Sequence, residues 1–121
     1  MSFIDDISGI MNYSVRKRDA ISNNISNQAT PNYKAQVVKW NDAMHQNGDD
    51  LKVTNKGHIP LQQSNDSFTI ETDNETQVRS DGNNVDQNKE IVEMMKNNQL
   101  FSTSLNALNN YYEAMGAARG K

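Results

Sequence analysis

From Ile91 to Met115 the apolar residues fall on alternating three- and four-residue steps: Ile91, Met94, Phe101, Leu105, Leu108, Tyr112 and Met115. Only Asn98 interrupts the run. An apolar repeat with a mean step near 3.5 keeps one stripe of a helix turned toward a partner helix, so the spacing predicts a coiled-coil-like helix. Asp86 to Gly116 would span roughly 45 Å as a helix, long for a chain of 121 residues. Asp81-Gly82 marks a turn just ahead of it, and Asn84 or Asp86 can cap its first free amides. Gly116 and Gly120 are expected to end it, with Arg119 and Lys121 well placed near its last carbonyls.

A stripe of that kind needs a partner, and the other end of the chain offers one. Between Phe3 and Asn27, Ile4, Ile7, Met11, Ile21 and Ile25 fall on a seven-residue repeat. Ser14 and Arg18 interrupt this seam, Val15 sits beside it, and Gly9 weakens the first turns. Residues 35–83 are polar and broken, with scattered apolar residues and turn signals at Gly48, Gly57 and Pro60. Phe68 and Ile70 alternate with polar residues as in a strand. Asp73-Asn74-Glu75 can turn the chain, and Thr76 to Arg79 can pair back as a small β-hairpin. Ala35 to Trp40 fits a strand or irregular structure, and His45 to Asp50 an exposed loop. The expected fold is therefore mainly α. Residues 1–34 form a first helix and its closing turn, residues 35–83 a partly irregular middle, and residues 84–121 a last helix packed on the first as a hairpin.

Composition limits what such a hairpin can bury. The apolar fraction is 35% and the mean hydropathy -0.86, against roughly 45–50% apolar in ordinary globular chains. A chain this polar has little material for a private core and gains by borrowing buried surface from neighbours. The net charge of -3 speaks against a nucleic-acid binder, whose footprint is basic. The cluster Arg16, Lys17, Arg18 lacks a reader motif and has counter-charges in Asp5, Asp6 and Asp19. Absence of Cys excludes disulfides and thiolate sites. No apolar run approaches a membrane span, and MSFIDDISGI has no basic n-region or continuous apolar h-region. His45 and His58 lack metal-site spacing. Asp49-Asp50, and Asp81 with Asp86, lack the terminal Glu of a calcium loop. Ser22 has no visible base, and the glycines form no phosphate cradle. These residues predict no enzyme, no cofactor and no metal.

The segment SNNISNQATPNYKAQ, Ser22 to Gln36, joins the first helix to the middle. Pro31 fixes its own φ and drives Thr30 out of the helical region, so the helix must stop before Thr30. Pro31 followed by Asn32, which tolerates positive φ, describes a type II turn. Asn27 can take the left-handed position that closes the helix. Asn23, Asn24 and Asn27 lie on adjacent turns, and their amides suit either the turn or a neighbouring chain. Physics alone leaves open an ordinary helix stop.

This segment resembles the N-terminal signature of bacterial flagellar rod and hook proteins, A-N-N-(I/L)-A-N-x-x-T-P-G-Y-K. The matching positions are Asn23, Asn24, Ile25, Asn27, Thr30, Pro31, Tyr33 and Lys34. Ser26 replaces the usual Ala, and Asn32 the usual Gly. A second phrase, Asp81, Gly82, Asn83, Asn84, Val85 and Asp86, is similar to the D-G-N-N-V-D that opens the last helix in basal-body rod members of that family. Thr54, His58 and Ile59 fit a further segment of those members. The resemblance implies a structural subunit of the proximal rod, exported by the flagellar type III apparatus without a cleaved signal and placed outside the cytoplasmic membrane. Its terminal helices would pack in layers into a torque-transmitting tube. Implied partners are copies of itself, other rod proteins, the membrane-ring and rod-adaptor proteins at the rod base, and the export apparatus. Nucleic acid and direct membrane insertion are not implied. A cytosolic helical adaptor or export chaperone is the alternative.

Overall fold

A computed structural model of the chain describes residues 2–41 and 68–120. It contains helix α1 (Phe3–Ser26), strands β1 (Gln36–Trp40) and β2 (Phe68–Thr72), and helix α2 (Gln87–Ala118). His45, His58, Asp49, Asp50, Thr54 and Ile59 lie outside the described residues.

Each helix starts at a cap written in the sequence. The Ser2 hydroxyl oxygen accepts from Asp5 N at 3.2 Å, and the Asp5 carboxylate accepts from Ser2 N at 3.3 Å, closing a capping box. The Asp86 carboxylate accepts from Asn88 N and Lys89 N at 3.0 and 3.2 Å. Negative charge at these ends also suits the helix dipole. The C-terminal ends differ from expectation. Asn27 closes α1 at φ -102, outside the left-handed region. Its amide N–H reaches back to Asn23 and Asn24 carbonyls, and its side-chain amide donates to Asn23 O at 2.8 Å. The left-handed residue is Asn32, φ 61, where the turn requires it. α2 runs through Gly116, and the positive φ of 73 falls at Gly120. A lone glycine lowers helix propensity by only about 1 kcal/mol, too little to stop a helix of 32 residues.

The helices lie antiparallel. Phe3 stacks on Tyr111 at 5.0 Å, Ser14 meets Asn97, and Lys17 pairs with Glu93 at 2.9 Å. Along the expected α1 seam, Ile7 and Ile21 are buried and Ile4, Met11 and Ile25 half-buried. Ser14 belongs inside it, 1% exposed, instead of breaking it.

On α2 the seam is turned by one residue. Met94, Phe101 and Leu108 are half-buried on the contact side. Ile91, Leu105 and Tyr112 are 44, 40 and 55% exposed, so they face away from α1, while Met115, on the same side as Leu108, is 39% exposed beyond the Phe3–Tyr111 stack. Their places are taken by Glu90, Asn97 and Ser104, all buried, and by half-buried Tyr111. On that side Ser14 and Asn97 bond to each other.

β1 and β2 pair antiparallel, with Gln36 opposite Thr72, Val38 opposite Ile70 and Trp40 opposite Phe68. β2 thus pairs back to the residues after the α1 turn, and not to Thr76–Arg79. Asp73 ends β2 by accepting from Glu75 N at 2.8 Å, Thr76 N at 3.1 Å and the Thr76 hydroxyl at 2.5 Å. That local turn withdraws the amides a returning strand would need. The ribbon lies on α1 through Tyr13, whose ring meets Trp40 at 5.6 Å and Phe68 at 6.3 Å, each edge-on.

Among the described residues the buried apolar set is Ile7, Ala20, Ile21, Ala35, Val38 and Val85. The buried polar set is larger: Ser14, Asn24, Asp73, Asn83, Asn84, Glu90, Asn97 and Ser104. No buried side-chain nitrogen or oxygen among the described residues lacks a partner. Satisfied amides therefore do much of the work that apolar packing does elsewhere.

Candidate assembly site

The two phrases singled out in the sequence, Ser22–Gln36 and Asp81–Asp86, meet at one end of the hairpin. The meeting begins with the turn after α1. Tyr33 N donates to Thr30 O at 3.4 Å across Pro31 and Asn32. Asn32 N then donates to Asp81 O at 2.9 Å. Gly82 sits directly against Asn32 with φ 82, and a Cβ built there would strike the Asn32 side-chain oxygen. Both phrases therefore need a left-handed residue at their point of contact.

Asparagines stitch the rest. The Asn83 side chain donates to Asn27 O and Thr30 O, both at 2.8 Å, and accepts from Val85 N at 2.7 Å. It holds the end of α1 and the start of α2 in one grip. Asn84 accepts from Ala35 N and donates to Asp73 O, both at 2.7 Å, which ties β1, the end of β2 and the approach to α2 together. Asn24 donates to Gln36 O at 2.9 Å and accepts from Gln36 N at 2.8 Å, imitating a neighbouring strand. The Tyr33 hydroxyl donates to the same Asn24 oxygen at 3.0 Å. Lys34 Nζ donates to Gly82 O, and Arg79 to Gln28 O. Of the remaining motif positions, Val85 is buried, Ile25 is half-buried, and Asn23 and Pro31 face solvent.

Charge at this end is arranged in three places. Asp73 would be raised by burial, but its bonds from Thr76 and Glu75, with Lys89 at 3.5 Å, hold it down to about 2. Glu90, buried between the helices, is pushed up by that burial despite Asn24 and Lys89. Lys17 loses charge preference by burial, but its bond to Glu93 more than restores it and leaves it raised. Nothing in this set pairs a nucleophile with a base. Among the described residues no group of His, Asp or Glu could hold a metal ion. What the arrangement can do is fix the angle and register at which two long helices leave one junction.

Sequence reasoning missed several members. Ser14, Asn97, Glu90 and Ser104 carried a readable signal, because Glu90, Asn97 and Ser104 are spaced by seven. A polar heptad beside an apolar one is invisible when only apolar residues are scored. Asp73 was read as a turn residue, but its bond to Asn84 had no signal in the sequence, nor had the bonds between Asn24 and Gln36. The other half of the apolar heptad, Ile91, Leu105 and Tyr112, is left exposed along α2, with Met95 beside it.

No family model matches the chain. It is 26% identical over 114 residues to the flagellar basal body rod protein FlgB of Bacillus subtilis (strain 168), covering 93% of this chain and 88% of that one. It is 30% identical over 113 residues to the flagellar basal body rod protein FlgB of Aeromonas hydrophila, covering 87% of this chain and 86% of that one. Among the described residues no helix is long and apolar enough to cross a membrane.

Proposed function

This chain belongs to the FlgB family of flagellar basal body rod proteins, and from that premise we propose that it is a structural subunit of the proximal rod, assembling through its terminal helices into a tube that transmits torque. The observation that carries the reading is similarity over nearly the whole length to rod proteins of two different bacteria. The clasp supports it, because a rigid junction fixes the direction of both helices before neighbours pack on them. The exposed α2 stripe supports it as well. An apolar heptad suits a helix of a neighbouring subunit, and a lone soluble hairpin gains nothing by displaying it. The motif residues act as an assembly device by holding that geometry. The partners are other copies of the chain, further rod proteins, the membrane-ring and rod-adaptor proteins at the rod base, and the type III export apparatus that carries the chain, uncleaved, beyond the cytoplasmic membrane.

Deleting the gene and examining isolated basal bodies by electron microscopy tests this. Loss of swimming with rods and hooks absent, restored by the gene in trans, is the expected result. The chain should copurify with those basal bodies. Intact rods in swimming deletion cells would overturn the proposal. Rods absent while the chain stays cytosolic in the wild type would favour an adaptor or export chaperone.

A further inference from the structure

α2 carries two candidate seams one residue apart. One is Glu90, Asn97, Ser104, Tyr111 and the other Ile91, Asn98, Leu105, Tyr112. Both share Met94, Phe101 and Leu108, so a roll of about half a residue step, roughly 50°, exchanges them. Apolar burial favours turning Ile91 and Leu105 inward. The chain does the opposite and buries Glu90, Asn97 and Ser104. Something specific to the observed facing must outweigh that preference.

Three hydrogen bonds meet that description. At the middle of the hairpin the Asn97 side-chain amide donates to Ser14 O at 2.8 Å. The Ser14 hydroxyl donates to Asn97 Oδ1 at 3.1 Å and to Asn97 O at 3.3 Å. Ser14 is 1% and Asn97 2% exposed, so rolling α2 away would strand buried donors and acceptors. The other polar members offer less: Glu90 is reached from α1 by the Asn24 side chain. Ser104 bonds only within its own helix, to Leu100 O at 2.8 Å, and burial works against the charge of Glu90. We propose that the Ser14–Asn97 pair is a facing lock: it holds the polar side of α2 against α1 and thereby keeps the Ile91–Leu105–Tyr112 stripe outward. A single buried polar contact that sets register at a cost in stability is a known device in paired helices. The lock rests on the hairpin geometry alone and stands or falls independently of the rod assignment.

The absence of Cys makes the test clean. Single substitutions Ser104→Cys and Leu105→Cys are made in the full chain, and thiol labelling rates are measured in trimethylamine N-oxide, which favours the compact state without choosing a facing. With the lock intact, the Leu105→Cys thiol reacts quickly and the Ser104→Cys thiol is protected. Adding Asn97→Ala should lower the Leu105-to-Ser104 rate ratio by at least about fivefold, the factor one net hydrogen bond is worth. The position-105 thiol itself should become slower. Ser14→Ala, which leaves the amide bond to Ser14 O in place, should move the ratio the same way but less. An unchanged ratio in Asn97→Ala overturns the lock. So does a variant in which both thiols become fast, because the pair would then hold the hairpin together without choosing its face.

Discussion

An asparagine side chain presents one carbonyl and one amino group, the same complement as a peptide unit. That likeness explains why Asn24, Asn83 and Asn84 replace missing strands and helix turns at the clasp. Asn83→Asp keeps the shape but sets a carboxylate oxygen against Asn27 O and Thr30 O, where the amide now donates twice. It should destabilise the fold by roughly 2–3 kcal/mol, read as a lower urea midpoint. Gly82→Ala adds a Cβ onto Asn32 at φ 82 and should cost about 1–2 kcal/mol by the same measurement. The two buried carboxylates act in opposite directions with pH. The folded pKa of Asp73, about 2, lies below its ordinary 3.8. Its bonds therefore add stability above about pH 4, and that stability is lost as pH falls toward 2. Glu90 is raised above its ordinary 4.5, so its charge costs stability at neutral pH and the cost fades as pH falls through its folded value. Glu90→Gln should raise the melting temperature at pH 7, and the gain should shrink on acidification toward the carboxylate range. A gain that persists or grows there would contradict the assignment.

Helix existence was legible in the sequence, because long 3.5-step repeats have no other economical reading. The cap at Asp86, one of two candidates, and the stop at Pro31 followed from local chemistry. Facing on α2 was not legible. Met94, Phe101 and Leu108 serve either seam, and the choice rests on a contact between Ser14 and Asn97, residues 83 apart in sequence. The partner of β2 was hidden for a similar reason. Phe68–Thr72 meets Gln36–Trp40 from across the middle of the chain, and no short-range pattern encodes such a pairing. The clasp was half legible: both phrases stood out, but nothing in either one says that it binds the other. Facing makes a discriminating prediction. Leu105→Asp, on the exposed side, should change hairpin stability by no more than about 0.5 kcal/mol yet prevent rod assembly in cells. Leu108→Asp, half-buried against α1, should lower stability by about 1–3 kcal/mol, seen in thermal melts of the isolated chain.

At the scale of the molecule, two helices of 24 and 32 residues share a small apolar core whose large members, among the described residues, are Ile7, Ile21, Val38 and Val85. Isolated helices are marginal without a packed apolar face. Meanwhile Ile91, Val92, Met95, Leu105, Tyr112 and Met115 remain exposed on one of them. Burying those residues against neighbours would add apolar contact to a small core, so folding and assembly should be coupled. The isolated chain at low micromolar concentration should show less helix than the structure contains and should melt broadly. Its helicity should rise when the osmolyte strengthens burial. Far-ultraviolet circular dichroism reads this directly. A full helical signal with a sharp, concentration-independent melt would mean that the clasp and the Ser14–Asn97 contact suffice, and that neighbours add order to the assembly without adding structure to the subunit.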